Sequence, residues 1–353
     1  MVVDLVLYLE VQALEPIAVR GSYGVGGFYR SPNYIPSSTL AGSLINEYYQ
    51  SGSQRGDPEI WVSHAFPGPP PELGKPPALS PRTLSLKPNG ELASVALTFA
   101  EAIRDGPGVL SQIQGHNPKV SGSFILHDCS RVAAPKKSTE IHVALDYERR
   151  THAIATTQGG ETGLLFTQEV ILPFKEGERT VHGQRFHALA FLNEPMYDFL
   201  KEGIEVRVGS MRSKGYGLVR VAPKKVNSQV EVVDIDQYRN IRSREISRWV
   251  EEEWLVADVL NQVRPQFLHG LGRVVFKKVT ILDAKFWYMG NFHLYRGIYG
   301  PGSVFVLENP VRGGSMSVNQ LVRKETTPPQ DPVDMIHGMD MLFFDNPAHF
   351  NCR

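Results

Sequence analysis

The residues best suited to chemistry lie in one glycine-rich, basic segment, residues 207–221. Glycine lets the backbone adopt positive φ and lets a ligand approach the main chain closely. Exposed N–H groups beside fixed cations suit a phosphate, and a tyrosine between glycines can stack on a nucleobase. The segment therefore predicts a phosphate- or RNA-binding loop, with an ordinary hairpin turn as the alternative. Its candidate binding residues are Arg207, Gly209, Arg212, Lys214, Gly215, Tyr216 and Gly217.

The flanking sequence indicates how this loop is held. Apolar and polar residues alternate over 203–208 and again over 218–221, which predicts a strand on each side of the loop. A helix is predicted over 34–49 from the spacing of its apolar residues, with Ser37, Ser38 and Thr39 as candidate N-caps. A helix start can also receive a phosphate, so these three residues are a second candidate contact, with simple capping as the alternative.

Two further basic features accompany the loop. Alternating segments predict a long hairpin at about 139–172, whose basic tip carries Arg149, Arg150 and His152. His152 could serve as a binding residue or as a general base. Arg20 stands at the entry of a glycine-rich stretch, 21–30, whose spacing does not match a dinucleotide-binding fingerprint.

Composition restricts the function classes. The 353 residues include 37 basic and 37 acidic ones, so the net charge is zero, which argues against indiscriminate coating of nucleic acid. No window approaches the roughly 18 consecutive apolar residues of a membrane span, and the N-terminus lacks a signal peptide. We therefore expect a soluble, cytoplasmic protein without a membrane partner, whose Cys129 and Cys352 are free thiols. We expect no metal and no cofactor.

The element order predicts an α+β fold. The first part, 1–225, reads as strand, helix, strands, helix, strand, glycine loop and strand, which is compatible with a ferredoxin-like sheet. It contains a Pro- and Gly-rich insertion at about 51–92, where we predict no regular element. The second part, 226–353, is predicted to be a smaller, β-rich domain that opens with a helix over 236–263. Its tail packs through Met335, Met339, Met341, Phe343 and Phe344.

The order of these pieces resembles the RAMP superfamily of CRISPR-associated proteins. The segments that carry the resemblance are 34–44, 163–169 and 209–217. Segments 81–87 and 299–307 make the chain most similar to the five-prime-capping subunit of type III-D effector complexes. This resemblance implies tandem ferredoxin-like (RRM-like) folds, a glycine-rich loop on guide RNA (crRNA) and a protruding β-hairpin. It also implies assembly with a large cyclase-type subunit and RAMP backbone subunits, with target RNA as a further ligand.

One departure from the family bears on catalysis. Target-cleaving backbone members carry an aspartate in the loop before the Pro-Ser-Ser helix, whereas residues 20–35 here contain no Asp or Glu. Acid or base catalysis at a ribose hydroxyl needs a titratable group within reach. We therefore predict a non-catalytic RNA-binding subunit. The alternatives are a backbone RAMP subunit, a metal-independent crRNA-processing endoribonuclease that uses His142 or His152, and an unrelated α+β scaffold.

Overall fold

The structure is a computed structural model. It describes residues 3–19, 28–52, 56–117, 123–143, 145–146, 151–152, 154–157, 160–163, 165–174, 183–288 and 291–352, with the backbone alone described within 143–166 and 285–292. The chain contains both helices and strands, with long runs of consecutive strands between the helices, which confirms the α+β class.

The strands are numbered in chain order. Those before residue 235 are β1 Leu5–Ala13, β2 Phe28–Tyr29, β3 Ile60–Val62, β4 Phe66–Pro67, β5 Leu84–Leu86, β6 Leu92–Ser94, β7 Ser123–Ile125, β8 Arg131–Ala133, β9 Lys137–Val143, β10 Leu145–Asp146, β11 Thr151–His152, β12 Ile154–Thr157, β13 Gly160–Gly163, β14 Leu165–Ile171, β15 Arg185–Leu192, β16 Ile204–Arg207, β17 Leu218–Pro223, β18 Lys225–Val226, β19 Gln229–Val230 and β20 Val232–Asp234. The later strands are β21 Trp254–Val259, β22 Val274–Lys278, β23 Ile281–Tyr288, β24 Asn291–Tyr299, β25 Val304–Glu308 and β26 Leu342–Phe344.

The helices are numbered in the same way. They are α1 Ser37–Gln50, α2 Ala96–Asp105, α3 Glu194–Leu200, α4 Ile235–Ser247, α5 Val318–Thr326, α6 Pro332–Ile336 and α7 Pro347–Asn351. Short 3-10 turns cover Pro107–Ile113, Arg212–Lys214 and Pro265–Leu268.

The first sheet has the order β16-β17-β1-β15-β3, and all neighbouring strands are antiparallel. Helix α1 connects β1 to β3, and α3 follows β15 and leads to the β16–β17 hairpin. The two helical connections are therefore interleaved, because β15 lies between β1 and β3, while β1 lies between β15 and β17. This is the split arrangement of a βαββαβ unit. Strand β20 extends the same sheet by pairing with β1.

The second sheet repeats this strand order. It runs β22-β25-β21-β26, again with antiparallel neighbours. Its first strand in sequence, β21, lies between the third and the fourth, β25 and β26. A hairpin stands between the second and third strands of both sheets: β9–β14 precedes β15, and β23–β24 precedes β25. The two halves thus share one strand order, which neither composition nor alternation had indicated for the second half. They differ in their connections, because only a 3-10 turn, and no α-helix, lies between β21 and β22, where every residue is described.

Strand β1 is central because both of its faces are buried. Leu7, Leu9 and Val11 pack with residues of α1 and α3. On the opposite face, Tyr8 packs in a cluster that includes Phe343 of the second half. The second half therefore covers the face of the first sheet that α1 and α3 leave open. The tail residues predicted to pack, Met335, Met339, Met341, Phe343 and Phe344, are all buried.

Residues 51–92 contain short strands, so the prediction that no regular element survives there is wrong. Strands β3 and β4 both pair with β15, and β5 pairs with β6. Prolines are tolerated because each strand is only two or three residues long, and the one proline within these strands, Pro67, stands at the end of β4.

The helix predicted over 236–263 ends much earlier. Helix α4 stops at Ser247, and Trp254–Val259 forms β21, in which every residue is buried. A strand that is buried on both faces shows no alternation, so its apolar residues could be assigned to a helix by periodicity. In contrast, the predicted strands and helix over 185–223 are confirmed as β15, α3, β16 and β17.

The prediction of two free thiols is also wrong. Cys129 and Cys352 form a disulfide, with their Cα atoms 5.5 Å apart. The bond joins the loop after β7 to the end of α7, which packs beside β6 through Ala348. The 223-residue separation of the two cysteines carries no sequence signal for such a bond.

Candidate nucleic-acid interface

The glycine-rich loop closes on residues 16–18, which follow β1. The N–H of Gly217 donates to the carbonyl of Pro16 at 2.8 Å, and the N–H of Ser210 donates to the carbonyl of Ala18 at 2.8 Å. Gly209 and Gly217 have φ of 82° and 84°. A Cβ atom would lie 2.4 Å from the Ala18 oxygen at Gly209 and 2.0 Å from the Val208 oxygen at Gly217. Both positions require glycine because backbone passes directly beside them.

Gly215 has a different role in the same loop. Its φ is also 84°, but a Cβ there would meet nothing within 4 Å. It ends the 3-10 turn Arg212–Lys214, which begins after Met211 at φ 60°. Two left-handed residues thus bracket the turn, and they hold Arg212 and Lys214 on the exposed outer side.

The cations of the loop fall into two kinds. The guanidinium of Arg207 pairs with the carboxylate of Glu15 and donates to the carbonyl of Tyr216 at 2.9 Å. This hydrogen-bonded pair lowers the pKa of Glu15. Arg212 and Lys214 are exposed and form no ion pair with any residue in the described ranges. Arg207 fastens the loop to the segment that follows β1, while Arg212 and Lys214 remain available to an anion.

The start of α1 faces this loop. Pro36 is the N-cap and no side chain caps the helix, so the prediction that Ser37, Ser38 or Thr39 caps it is wrong. Ser37 is buried: its hydroxyl donates to the carbonyl of His337 at 3.0 Å, and its N–H donates to Nδ1 of His64 at 2.9 Å. Ser38 and Thr39 are half-exposed, and first-turn N–H groups have no intrahelical acceptor. No acidic residue occupies the first turn.

An open pocket of about 450 Å³ joins the helix start to the glycine loop. The two segments that the sequence singled out separately therefore meet on one surface. One face of α1, from Ser38 to Asn46, lines one side with hydroxyl groups, and glycine backbone with a cation lines the other. Its lining residues are Val19, Ser38, Thr39, Gly42, Ser43, Asn46, Gly209, Ser210 and Arg212.

Tyr216 connects the loop to the hairpin. Its hydroxyl donates to the carboxylate of Glu140 on β9, and this bond raises the pKa of Tyr216 to about 12. The ring of His142 stands edge-on to the Tyr216 ring, with 6.5 Å between centroids. Tyr216 is half-buried, so the ring that was expected to be free for stacking is held against the base of the hairpin.

The hairpin itself is present in the described backbone. Strands β9 and β14 pair from Val143 with Leu165 to Lys137 with Ile171. His152 lies in β11, opposite Leu145, in a region where side chains are not described. The candidate residues Arg20, Arg149 and Arg150 lie outside the described residues.

Sequence reasoning missed the polar network beneath the helix start. His64 accepts the Ser37 N–H, and burial lowers its pKa to about 3, so the ring is neutral at physiological pH. The side chain of Asn261 accepts the N–H of His64 at 2.6 Å and donates to the carbonyls of Val62 and Gly338, each at 2.9 Å. These residues are distant in sequence and match no motif, so only the packed fold reveals them.

A second cluster contains side chains that could carry out acid–base chemistry but is closed to solvent. His349 lies between the Ser94 hydroxyl, 2.6 Å from Nδ1, and the Asp258 carboxylate, 3.0 Å from Nε2. Asn346 donates to the same carboxylate at 3.0 Å. All four residues are at most 2% exposed, so no substrate reaches this cluster. In the described ranges no group of three or more His, Cys, Asp or Glu residues could hold a metal ion.

Comparison with known proteins gives no family. No family model matches the chain, and no curated protein matches it. Within the described residues, no helix is long and apolar enough to cross a membrane.

Among solved structures the chain is similar to chains of a type III-B complex. One is from Cmr-beta bound to cognate target RNA (13% identity, 85% of this chain and 86% of that chain covered, TM-score 0.38). Another is from Cmr-beta bound to cognate target RNA and AMPPnP (15%, 85% and 86%, 0.39). A third is from the apo state (10%, 61% and 96%, 0.28). With TM-scores below 0.5, these similarities decide neither the fold nor the function.

Proposed function

We propose that this chain is a non-catalytic RNA-binding subunit of a type III CRISPR effector complex that holds the 5′ repeat-derived part of crRNA. The observation that carries the proposal is the pocket between the start of α1 and the glycine loop. There the hydroxyl-bearing residues Ser38 and Thr39 and the cation Arg212 line a space large enough for phosphates. Phosphate contacts of this kind dominate affinity for nucleic acid.

The loop's charge pattern favours a bound polyanion. Arg212 and Lys214 are exposed without carboxylate partners in the described part of the chain, although the protein has as many acids as bases. Cations placed at a helix start, where the dipole is also positive, make a local anion site within a neutral protein. Ser37 is not part of this contact, because its hydroxyl and its N–H are already bonded inside the protein.

The topology supports assignment to the RAMP superfamily. Both sheets have the order in which the first strand lies between the third and the fourth, with antiparallel neighbours. We therefore infer tandem ferredoxin-like folds, with the hairpins β9–β14 and β23–β24 inserted at equivalent places. On this proposal the partners are a large cyclase-type subunit and RAMP backbone subunits, and target RNA is a further ligand.

One observation favours a second candidate, a metal-independent crRNA-processing endoribonuclease. The rings of His142 and Tyr216 contact each other edge-on at the edge of the loop, and the Glu140 carboxylate lies 3.6 Å from Nε2 of His142. Histidine and tyrosine can transfer protons to or from a ribose hydroxyl. Incubating the protein with precursor RNA in chelator tests this candidate: a discrete product that is lost in His142→Ala would favour it.

The main proposal is tested by purifying the tagged chain from its own host and identifying what accompanies it. We expect RNA with uniform, repeat-derived 5′ ends, together with other effector subunits. An RNA-free protein, judged by the ratio of nucleic-acid to protein absorbance, would contradict the proposal. RNA with random 5′ ends would contradict the assignment to the 5′ end.

A further inference from the structure

A second pocket lies where the two halves of the chain meet. It has a volume of about 370 Å³, and we call it the junction pocket. The first half supplies aromatic rings, an amide and a guanidinium, and the second half supplies an ammonium group and a glycine turn, 301–302. Its defining side chains are Asn33, Tyr34, Phe66, Arg82, Phe124 and Lys278.

The aromatic side chains of the junction pocket are fixed by packing. The Tyr34 ring stacks on His64, with centroids 4.5 Å apart and planes inclined by 8°. The Phe66 centroid lies 5.7 Å from that of Tyr34 and 6.3 Å from that of Phe124. Phe66 and Phe124 are buried behind the half-buried Tyr34, so Tyr34 is the ring of this group that a ligand can reach, and stacking on it would order few additional side-chain torsions.

Several polar side chains of this pocket have no partner among the described residues. The Tyr34 hydroxyl and the Asn33 amide form no hydrogen bond with any residue in the described ranges. Burial raises the pKa of Tyr34 to about 12, so its hydroxyl remains a donor at neutral pH. Arg82 and Lys278 are exposed and have no carboxylate partner among the described residues.

The walls of the pocket are held rigidly. The N–H of Arg82 donates to the carbonyl of Gly302 at 2.8 Å, and a Cβ at Gly302 would lie 2.6 Å from the Ser80 oxygen. On the other side, Leu79 and Ile125 exchange backbone hydrogen bonds of 3.1 and 2.7 Å. The cavity is therefore preformed.

We propose that the junction pocket binds one unpaired nucleotide, with its base on the Tyr34 ring and its phosphate on Arg82 and Lys278. Aromatic rings with adjacent cations are the usual combination for a nucleotide outside a duplex. The nucleotide can belong to the RNA chain, in which case the inference rests on the proposed function, or it can be a free nucleoside phosphate. Tyr34 and Ser38 are four residues apart, at most about 14 Å along the chain, so one RNA strand can reach both pockets.

Photo-crosslinking of the full-length protein to a 4-thiouridine-substituted oligouridylate, followed by peptide mapping, tests the proposal. We expect one crosslink within 207–221 and a second on a peptide that contains Tyr34, Phe66 or Phe124. The Arg82→Ala/Lys278→Ala variant should lose the second crosslink, keep the first and bind the RNA about tenfold more weakly. Lys277→Ala is the matched control, because adjacent strand residues face opposite sides and Lys277 lies over the Tyr299 ring.

A parallel titration with uridine and adenosine monophosphates shows whether the bound nucleotide belongs to the RNA chain or is a free nucleoside phosphate. Saturable binding that is abolished by Arg82→Ala/Lys278→Ala, without the second RNA crosslink, would support the pocket as a site for a free nucleotide. A crosslink within 207–221 alone, with no monophosphate binding, would overturn this inference and leave the proposed function intact. Absence of both crosslinks and of monophosphate binding would contradict both proposals.

Discussion

The pocket at the glycine loop and the buried cluster of Ser94, His349 and Asp258 differ in what they leave available. The buried cluster has a serine, an imidazole and a carboxylate in hydrogen-bond order, but the packed core excludes substrate. The loop pocket is open, but it offers hydroxyl groups, glycine backbone and a cation rather than a relay of acid and base. A serine, a histidine and an aspartate linked by hydrogen bonds do not by themselves indicate catalysis. A polar cluster can act on a ligand only where solvent and ligand can reach it.

The largest loss of stability is expected from removing the Asp258 carboxylate from the buried cluster. Asp258→Ala leaves the buried His349 and Asn346 without their common partner, and leaving buried hydrogen-bonding groups unsatisfied costs about 1–3 kcal/mol each, or about 2–6 kcal/mol together. The free energy of unfolding, measured by denaturant titration, should fall by that amount, while the folded fraction binds RNA normally. Loss of RNA binding or of an RNA-cleaving activity without loss of stability would assign function to this cluster.

Asp345, which lies next to Asn346 of the same cluster, should make the free energy of unfolding depend on pH. Burial raises its pKa to about 8, from 3.8. A carboxyl group that holds its proton more tightly when folded stabilises most below pH 4, and that stabilisation is lost as the pH rises towards 8. The free energy of unfolding should therefore decline between pH 5 and pH 8, relative to Asp345→Asn, by on the order of 3 kcal/mol. Parallel pH profiles for the two proteins would contradict this expectation.

Two glycines in the loop provide a matched pair with the same φ and different surroundings. Gly217→Ala places a methyl group against the Val208 carbonyl, whereas Gly215→Ala projects into open space. The left-handed backbone alone costs about 1–2 kcal/mol for an alanine. Thermal and chemical unfolding should show a loss of that size for Gly215→Ala and a clearly larger loss for Gly217→Ala. Equal losses would mean that the close backbone approach at Gly217 does not constrain the loop.

The smallest effect is expected from Tyr216→Phe. This change removes the hydrogen bond to Glu140 but keeps the ring, so stability should fall by about 1 kcal/mol. RNA affinity should change less than twofold, because the hydroxyl faces the hairpin. A tenfold loss of affinity, with stability unchanged, would show that the hydroxyl contacts RNA instead.

The sequence predicted the part of the site whose pattern is local. Alternation on both sides of the loop located β16 and β17, and the three glycines marked the turn, although close backbone approach explains only Gly209 and Gly217. The apolar spacing over 34–49 located α1. The predicted side-chain N-cap is absent because Ser37 turns inward to His64 and His337.

Other features depend on long-range packing and were beyond sequence reasoning. His64 and Asn261 meet only when β3 lies beside the loop that follows β21. Strand β21 itself lacks alternation because both of its faces are buried. The same long-range packing brings Cys129 to Cys352.

Binding of RNA phosphates by Arg212 and Lys214 can be measured through its dependence on salt. Affinity for a labelled single-stranded RNA is measured between low and physiological salt for the wild type and Arg212→Ala/Lys214→Ala. The control variant, Lys201→Ala/Arg273→Ala, removes two exposed cations that are already paired with Asp198 and Glu308. Each lost phosphate contact should make the slope of log affinity against log salt shallower by about 0.7. We therefore expect the slope of the test variant to be shallower by about 1.4, together with weaker binding, and the control to match the wild type. Unchanged affinity and slope in the test variant would contradict the account.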